Sequence, residues 1–155
     1  AMPNTPALIQ AGITAVSPGA AAREEDLTWG RTIVGTLGKV VDVPEEMMNA
    51  VTALSGSGPG YVYKFIESLI DAGVYVGLPR TLARELTLQT VIGSAQMVAE
   101  TGKHPGVLKD MVTSPGGTTI AGLAELETGG LTGLVYKAIA AAAKRAEELG
   151  GNQRK

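Results

Sequence analysis

Residues 113–123 read TSPGGTTIAGL: four hydroxyl side chains around a Pro-Gly-Gly core, followed by apolar residues at helical spacing. The first four N–H groups of a helix have no partner within it, and the helix dipole adds partial positive charge at that end. An anion is stabilised there, and glycine lets it approach the backbone because no Cβ stands in the way. The N–H groups of Gly116, Gly117 and Thr118, with the hydroxyls of Ser114 and Thr119 close by, therefore make a candidate cradle for a small carboxylate. Ser114 followed by Pro115 suits an N-cap and first helical position, and a helix that starts at Thr118 suits the same residues. The competing reading is a helix cap and turn that hold no ligand, because Ser, Pro and Gly serve ordinary turns equally well.

Other residues with chemical potential fall into structural roles. The run GSGPGY at 56–61 lacks the sixth-position glycine of a dinucleotide fingerprint, where Tyr61 stands, and it follows a helix rather than a strand. Ser57 or Gly58 as a cap, with Pro59 in the first turn, accounts for it. His104 is the one histidine; no carboxylate or nucleophile is spaced to make it a base, so it reads as a turn residue before Pro105. With no cysteine, no second histidine and no ligand-spaced acids, no metal is expected. Lys109 and Asp110 read as a solvated helix end near the 113–119 loop, and the five methionines as core filler.

The elements that must position the loop divide at Pro44. Before it, GITAVSP and KVVDV are short β-branched runs bounded by Gly or Pro, which predicts two strands, and the acid-led stretch EEDLTWGRTIVGTLG predicts a helix between them. Two strands do not make a stable sheet by themselves, so this unit needs further partners. After Pro44 the pattern is helical. PEEMMNAVTALSG has two acids in its first turn, and Val62, Phe65, Ile66, Leu69, Ile70 and Val74 form a stripe that Gly77 and Pro79 end. Leu82, Leu86, Val91, Ala95 and Val98 mark the next helix, which ends at Gly102. A short segment after Pro105, a helix over 118–126 and one through LTGLVYKAIAAAAKRAEEL complete the chain. The helices over 61–76 and 81–101 are apolar on more than one face, which predicts burial against a second subunit.

Composition excludes several function classes. The 155 residues are 45% hydrophobic and 18% charged, as in a globular domain. A net charge of −2 offers no broad basic field for nucleic acid or anionic lipid, and the basic end reads as a helix terminus and solvated tail. The absence of cysteine suits a reducing compartment, hence an expected cytoplasmic location. No apolar run is long enough for a membrane span of about 20 residues. The start, AMPNTPALIQAG, has neither the charge nor the apolar run of a signal peptide.

The run HPGVLKDMVTSPGGTTIAGLAELE resembles the signature of the pyrroline-5-carboxylate reductase family, the enzymes of the last step of proline biosynthesis. MPNTP, LSGSGPGYVY, DAGVYVGLPR and ETGKHPGVLKD resemble the same family in the same order, so the resemblance covers essentially the whole chain. It implies a mainly α fold: a helical dimerisation and substrate-binding domain over 44–155, like the C-terminal domain of 6-phosphogluconate dehydrogenase. Residues 1–43 would be a strand-helix-strand remnant of a truncated Rossmann domain, whose Gly-rich turn lies outside this chain, so that the chain resembles a fragment inactive by itself. The implied reaction is hydride transfer from NADPH or NADH to the C=N carbon of pyrroline-5-carboxylate. The resemblance implies that Ser114, Gly116, Gly117, Thr118 and Thr119 bind the substrate, with Thr119 on the ring nitrogen as the candidate catalytic residue or with solvent supplying the proton. Met2, Pro3, Asn4 and Thr52 would lie on the cofactor side. It also implies dimers of interlocked helices, often assembled into rings. Gly60, where many relatives carry alanine, is a departure that costs about 0.5–1 kcal/mol of helix stability. The alternatives are a non-catalytic oligomerisation module, and a relative that reduces a different cyclic imine.

Overall fold

The computed structural model describes residues 1–151, so the last part of the expected solvated tail lies outside the described residues. The described residues are mostly helical, with one small sheet. The chain forms two compact units: residues 1–62 together with the chain from Val135 onward, and Tyr63–Leu134.

The first unit contains the expected strand-helix-strand. Strand β1 (Gly12–Val16) and strand β2 (Gly38–Asp42) pair in parallel, with helix α1 (Glu24–Gly35) as the crossover. Gly12 and Gly38 are register partners, and a Cβ on Gly38 would collide with the Gly12 carbonyl oxygen, so the strands start closer together than any other residue allows. The expected need for more partners is partly met on the other edge of β1. Met2 exchanges two backbone hydrogen bonds with Ala15, at 2.8 and 3.0 Å, as an antiparallel bridge. Thr14, Ala15 and Val16 are consequently buried, whereas β2 is an exposed edge.

The helix expected from Pro44 is three short pieces. A 3-10 turn (Glu45–Met47) leads into α2 (Met48–Val51) and then a π turn (Thr52–Gly56), in which Ser57 N–H donates to Thr52 O at 2.8 Å. Ser57 keeps right-handed helical angles (φ −83°, ψ −22°), so it is not the extended N-cap expected of it, and the chain runs on into α3 (Gly58–Tyr75) with Pro59 in the first turn. A π turn adds one residue to a helix without a break. Ala53, in this turn, is fully buried.

In the second unit α3 ends as its Gly77 predicts. Gly77, at φ +102°, donates to Val74 O, and Leu78 N–H donates to Gly73 O, each at 3.0 Å. This is the Schellman pattern, with Leu78 packing back over Gly73. Helix α4 (Arg80–Thr101) then crosses α3 where Ala83 meets Gly73; Ala83 is the one buried residue among those described in this unit. Helix α5 (Pro105–Met111), helix α6 (Thr118–Thr128) and the start of helix α7 (Leu131–Gly151) follow. Three of the five methionines are not the core filler expected: Met47, Met97 and Met111 are exposed in the single chain, while Met2 and Met48 are half-buried.

Candidate functional site

The 113–119 loop joins α5 to α6. The structure decides between the two expected helix starts: α6 begins at Thr118, with Gly117 as an extended N-cap (φ −78°, ψ 175°), and Ser114 caps no helix. Residues 114–117 form a β-turn instead. Gly117 N–H donates to Ser114 O at 3.1 Å, Pro115 fills the second position, and Gly116 sits at φ +67° in the third, as a type II turn requires. The Gly117 N–H assigned to the cradle therefore closes the turn.

What faces outward is the first turn of α6. The first bond into the helix runs from Ala121 N–H to Gly117 O at 3.3 Å. The N–H groups of Thr118, Thr119 and Ile120 are thus the unpaired donors of a helix start that has no side-chain cap and no acid in its first turn. Ile120 escaped the sequence reading because its apolar side chain hides a backbone donor that matters only once the helix start is known. The Ser114 hydroxyl stands against Gly117, where a Cβ would collide with it. Thr119 is half-buried, while Ser114, Gly116 and Thr118 are exposed. Of the four hydroxyls, Thr113 is otherwise engaged: it donates to Lys109 O at 2.6 Å, and its N–H donates to Asp110 O at 3.1 Å. Lys109 and Asp110 pair with each other at 3.2 Å. His104, expected at a turn, caps α5 through Nδ1, which accepts from Gly106 N–H at 3.1 Å.

The four residues assigned to the cofactor side lie in the first unit. Asn4 Oδ1 accepts from Ile13 N–H at 3.0 Å, so its carbonyl is structural and its amide N–H groups remain. Thr52 Oγ1 donates to Met48 O at 2.7 Å, which leaves the hydroxyl as an acceptor. Met2 and Thr52 flank Gly56: a Cβ there would stand 3.7 Å from both Met2 Sδ and Thr52 Cγ2. Pro3 connects Met2 to Asn4. A thioether and a hydroxyl acceptor thus stand beside a bare glycine. They offer no cradle for a pyrophosphate. Among the described residues no group of His, Cys, Asp and Glu is placed to hold a metal, and no helix is long and apolar enough to cross a membrane.

The family model described as pyrroline-5-carboxylate reductase dimerisation matches residues 45–149. The chain belongs to the pyrroline-5-carboxylate reductase family. It is 51% identical over 150 residues to the pyrroline-5-carboxylate reductase of Synechocystis sp., covering 97% of this chain and 56% of that protein. To the one from Arabidopsis thaliana it is 54% identical over 148 residues, covering 96% and 54%. The pyrroline carboxylate reductase of Plasmodium falciparum, solved with NADP bound, matches with a TM-score of 0.93 at 40% identity, over 96% of this chain and 61% of that one. The chain therefore spans little more than half the length of the curated reductases it matches.

Proposed function

We propose that this chain is the substrate-side part of an NAD(P)H-dependent pyrroline-5-carboxylate reductase, which reduces 1-pyrroline-5-carboxylate to L-proline. The observation that carries the reading is the uncapped, acid-free start of α6 behind a Pro-Gly turn, in a member of this family. The substrate's carboxylate lies against the N–H groups of Thr118, Thr119 and Ile120, with the Gly116 N–H and the Ser114 hydroxyl completing the cradle; Gly117 supplies space instead of a donor. Held there, the imine is oriented for attack at its C=N carbon. The bound dinucleotide supplies the hydride. Thr119 Oγ donates a hydrogen bond to the ring nitrogen, and the proton arrives through that hydroxyl or from solvent. Met2, Pro3, Asn4 and Thr52 line the nicotinamide side.

The division into a Rossmann remnant over 1–43 and a helical domain over 44–155 accords with a family match that starts at residue 45. The dimerisation name of that match, and the exposure of Phe65, Leu69, Leu86 and Ile92 in the single chain, support a homodimer. A cysteine-free composition supports a cytoplasmic setting.

L-proline titration of the chain, followed by amide NMR, tests the site. Saturable shifts at Gly116, Thr118 and Ile120 support it; no shifts in the folded chain overturn a preformed carboxylate site. The dimerisation match favours one second reading, a module whose loop only caps a helix. Thr119→Ala, in a chimera that supplies the missing part of a curated relative, separates the two: lost turnover with the dimer intact supports catalysis, and unchanged turnover supports the module.

A further inference from the structure

We propose that α4 forms the two-fold crossing of a homodimer: the α4 helices of two copies pass antiparallel at Gly93, and each sets Leu82 and Leu86 into the other copy's groove between α4 and α5. The proposal rests on the homodimer reading above and names the face on which that dimer is built. Leu82, Leu86, Gly93 and Met97 follow one another at four, seven and four residues, which at 3.6 residues per turn keeps them within about 60° on α4. The three side chains are exposed in the single chain, and a Cβ built on Gly93 would have nothing within 4 Å. Helix α3 is met through Ala83 and leaves this stripe uncovered. A glycine in the middle of a 22-residue helix weakens it relative to alanine. It also removes the side chain that would hold a second helix axis away, here at the centre of an exposed apolar stripe.

Beyond Gly93 the stripe runs into a groove of about 310 Å³ between α4 and α5, with Met97 and Val98 on one wall and Pro105, Leu108, Met111 and Val112 on the other. Met97, Val98, Met111 and Val112 are exposed. The helix therefore carries two leucines on one side of Gly93 and an apolar receptacle on the other. A two-fold axis at Gly93 sets a residue n places before it on one copy opposite the residue n places after it on the other. Leu86, seven places before, comes opposite position 100, and Leu82, eleven before, opposite position 104. Those positions lie at the mouth of the groove, between Met97 and Pro105. Both grooves are filled at once, which is the self-complementarity of a closed dimer. The charges favour a second copy as the occupant. Glu85 and Lys103 stand at the two ends of the stripe, and neither is in an ion pair among the described residues. The same axis places Glu85 opposite position 101, about 3 Å along the helix from Lys103, and does so at both ends of the crossing. A parallel pairing would set like charge beside like. The family match described as dimerisation spans all of α4 and α5.

Sedimentation equilibrium of the 155-residue chain and its variants, with circular dichroism on each, is the test. Gly93→Ala is expected to keep or raise the helicity and to weaken the dimer at least about tenfold in Kd, because two methyl groups then meet at the axis. Glu85→Lys and Lys103→Glu are each expected to weaken it about two- to fivefold, and the double variant to restore the parent Kd. A dimer indifferent to Gly93→Ala overturns the crossing while the homodimer reading stands. Losses that add in the double charge variant overturn the antiparallel register, and the proposal with it. A parent chain that is monomeric at every concentration overturns the homodimer reading itself and assigns the stripe and groove to a different partner.

Discussion

The hydroxyl oxygen of Ser114 stands against the Cα of Gly117, so close that a Cβ on Gly117 would collide with it. The same two residues share the 3.1 Å hydrogen bond that closes the β-turn. The paired glycines therefore answer to different demands. Gly116 is needed for its backbone angle, φ +67°, whereas Gly117 has angles any residue adopts and is needed for its emptiness.

Gly117→Ala is accordingly expected to destabilise the chain by about 1–3 kcal/mol, as overpacking does. It also pushes the Ser114 hydroxyl off the cradle and weakens L-proline binding. Adding Ser114→Ala removes the worst of the clash, leaving the new Cβ 3.2 Å from the Ser114 carbonyl oxygen and 3.6 Å from its Cβ. Thermal unfolding of the four chains is the measurement, with a coupling of at least about 0.5 kcal/mol expected between the two sites. Additive losses would show that the hydroxyl is not held over the glycine.

Gly116→Ala and Gly122→Ala are the same chemical change with opposite expected signs. Alanine at 116 must adopt a left-handed conformation, at a cost of about 1–2 kcal/mol. Gly122 lies inside α6 with nothing within 4 Å of an added Cβ, so alanine there stabilises by about 0.5–1 kcal/mol. Chemical denaturation of each variant checks the pair, and equal signs would refute the turn assignment.

The parts of the fold that local chemistry governs were legible in the sequence. Gly77 and Pro79 end α3 as expected, because a left-handed glycine and a residue without an N–H act within one turn. Strands β1 and β2 came from β-branched runs bounded by Gly or Pro, within two residues of their ends. The π turn at Thr52–Gly56, which holds the buried Ala53, was not legible, since no local residue type marks where a helix takes one extra residue. The loop's chemistry was half legible. The residue types pointed to an anion, but whether Gly117 N–H faced a ligand or closed a turn depended on where α6 began, and both starts obeyed the capping rules.

Asp26 gives an acid dependence whose sign follows from its partners. The Arg23 side chain donates to its carboxylate at 3.2 and 3.3 Å, and the Arg23 backbone N–H donates at 2.9 Å. These bonds hold the carboxyl below its ordinary value of 3.8. A group with a lowered folded value contributes stability that is fully present above its unfolded value and lost as pH falls through the folded one. The start of α1 is therefore expected to be insensitive to pH near neutrality and to fray below 3.8. Amide exchange of residues 24–28 reads this, and Asp26→Asn should remove the acid dependence while fraying the turn slightly at every pH. Fraying of the parent chain that begins near neutrality would assign it to another group.

The apolar stripes of α3 and α4 yield the last expectation. Phe65 and Leu69 are four residues apart on α3, as are Leu82 and Leu86 on α4, and all four are exposed in the single chain. Gly73 and Ala83, by contrast, meet within the chain and account for the crossing of the two helices. A crossing held by the two smallest side chains leaves the larger ones free to face another copy. Leu86→Glu then places a charge in a dry interface and is expected to weaken self-association by about 2 kcal/mol or more, roughly thirtyfold in Kd. Ala83→Leu strikes the crossing itself and should lower the thermal midpoint at every concentration, because Ala83 is already 1% exposed and leucine adds three more carbons. Sedimentation equilibrium alongside circular dichroism separates the two effects. If Leu86→Glu stays dimeric with its helicity intact, the α4 stripe is not the interface, and the dimer must be built on the exposed residues of α3 or α7.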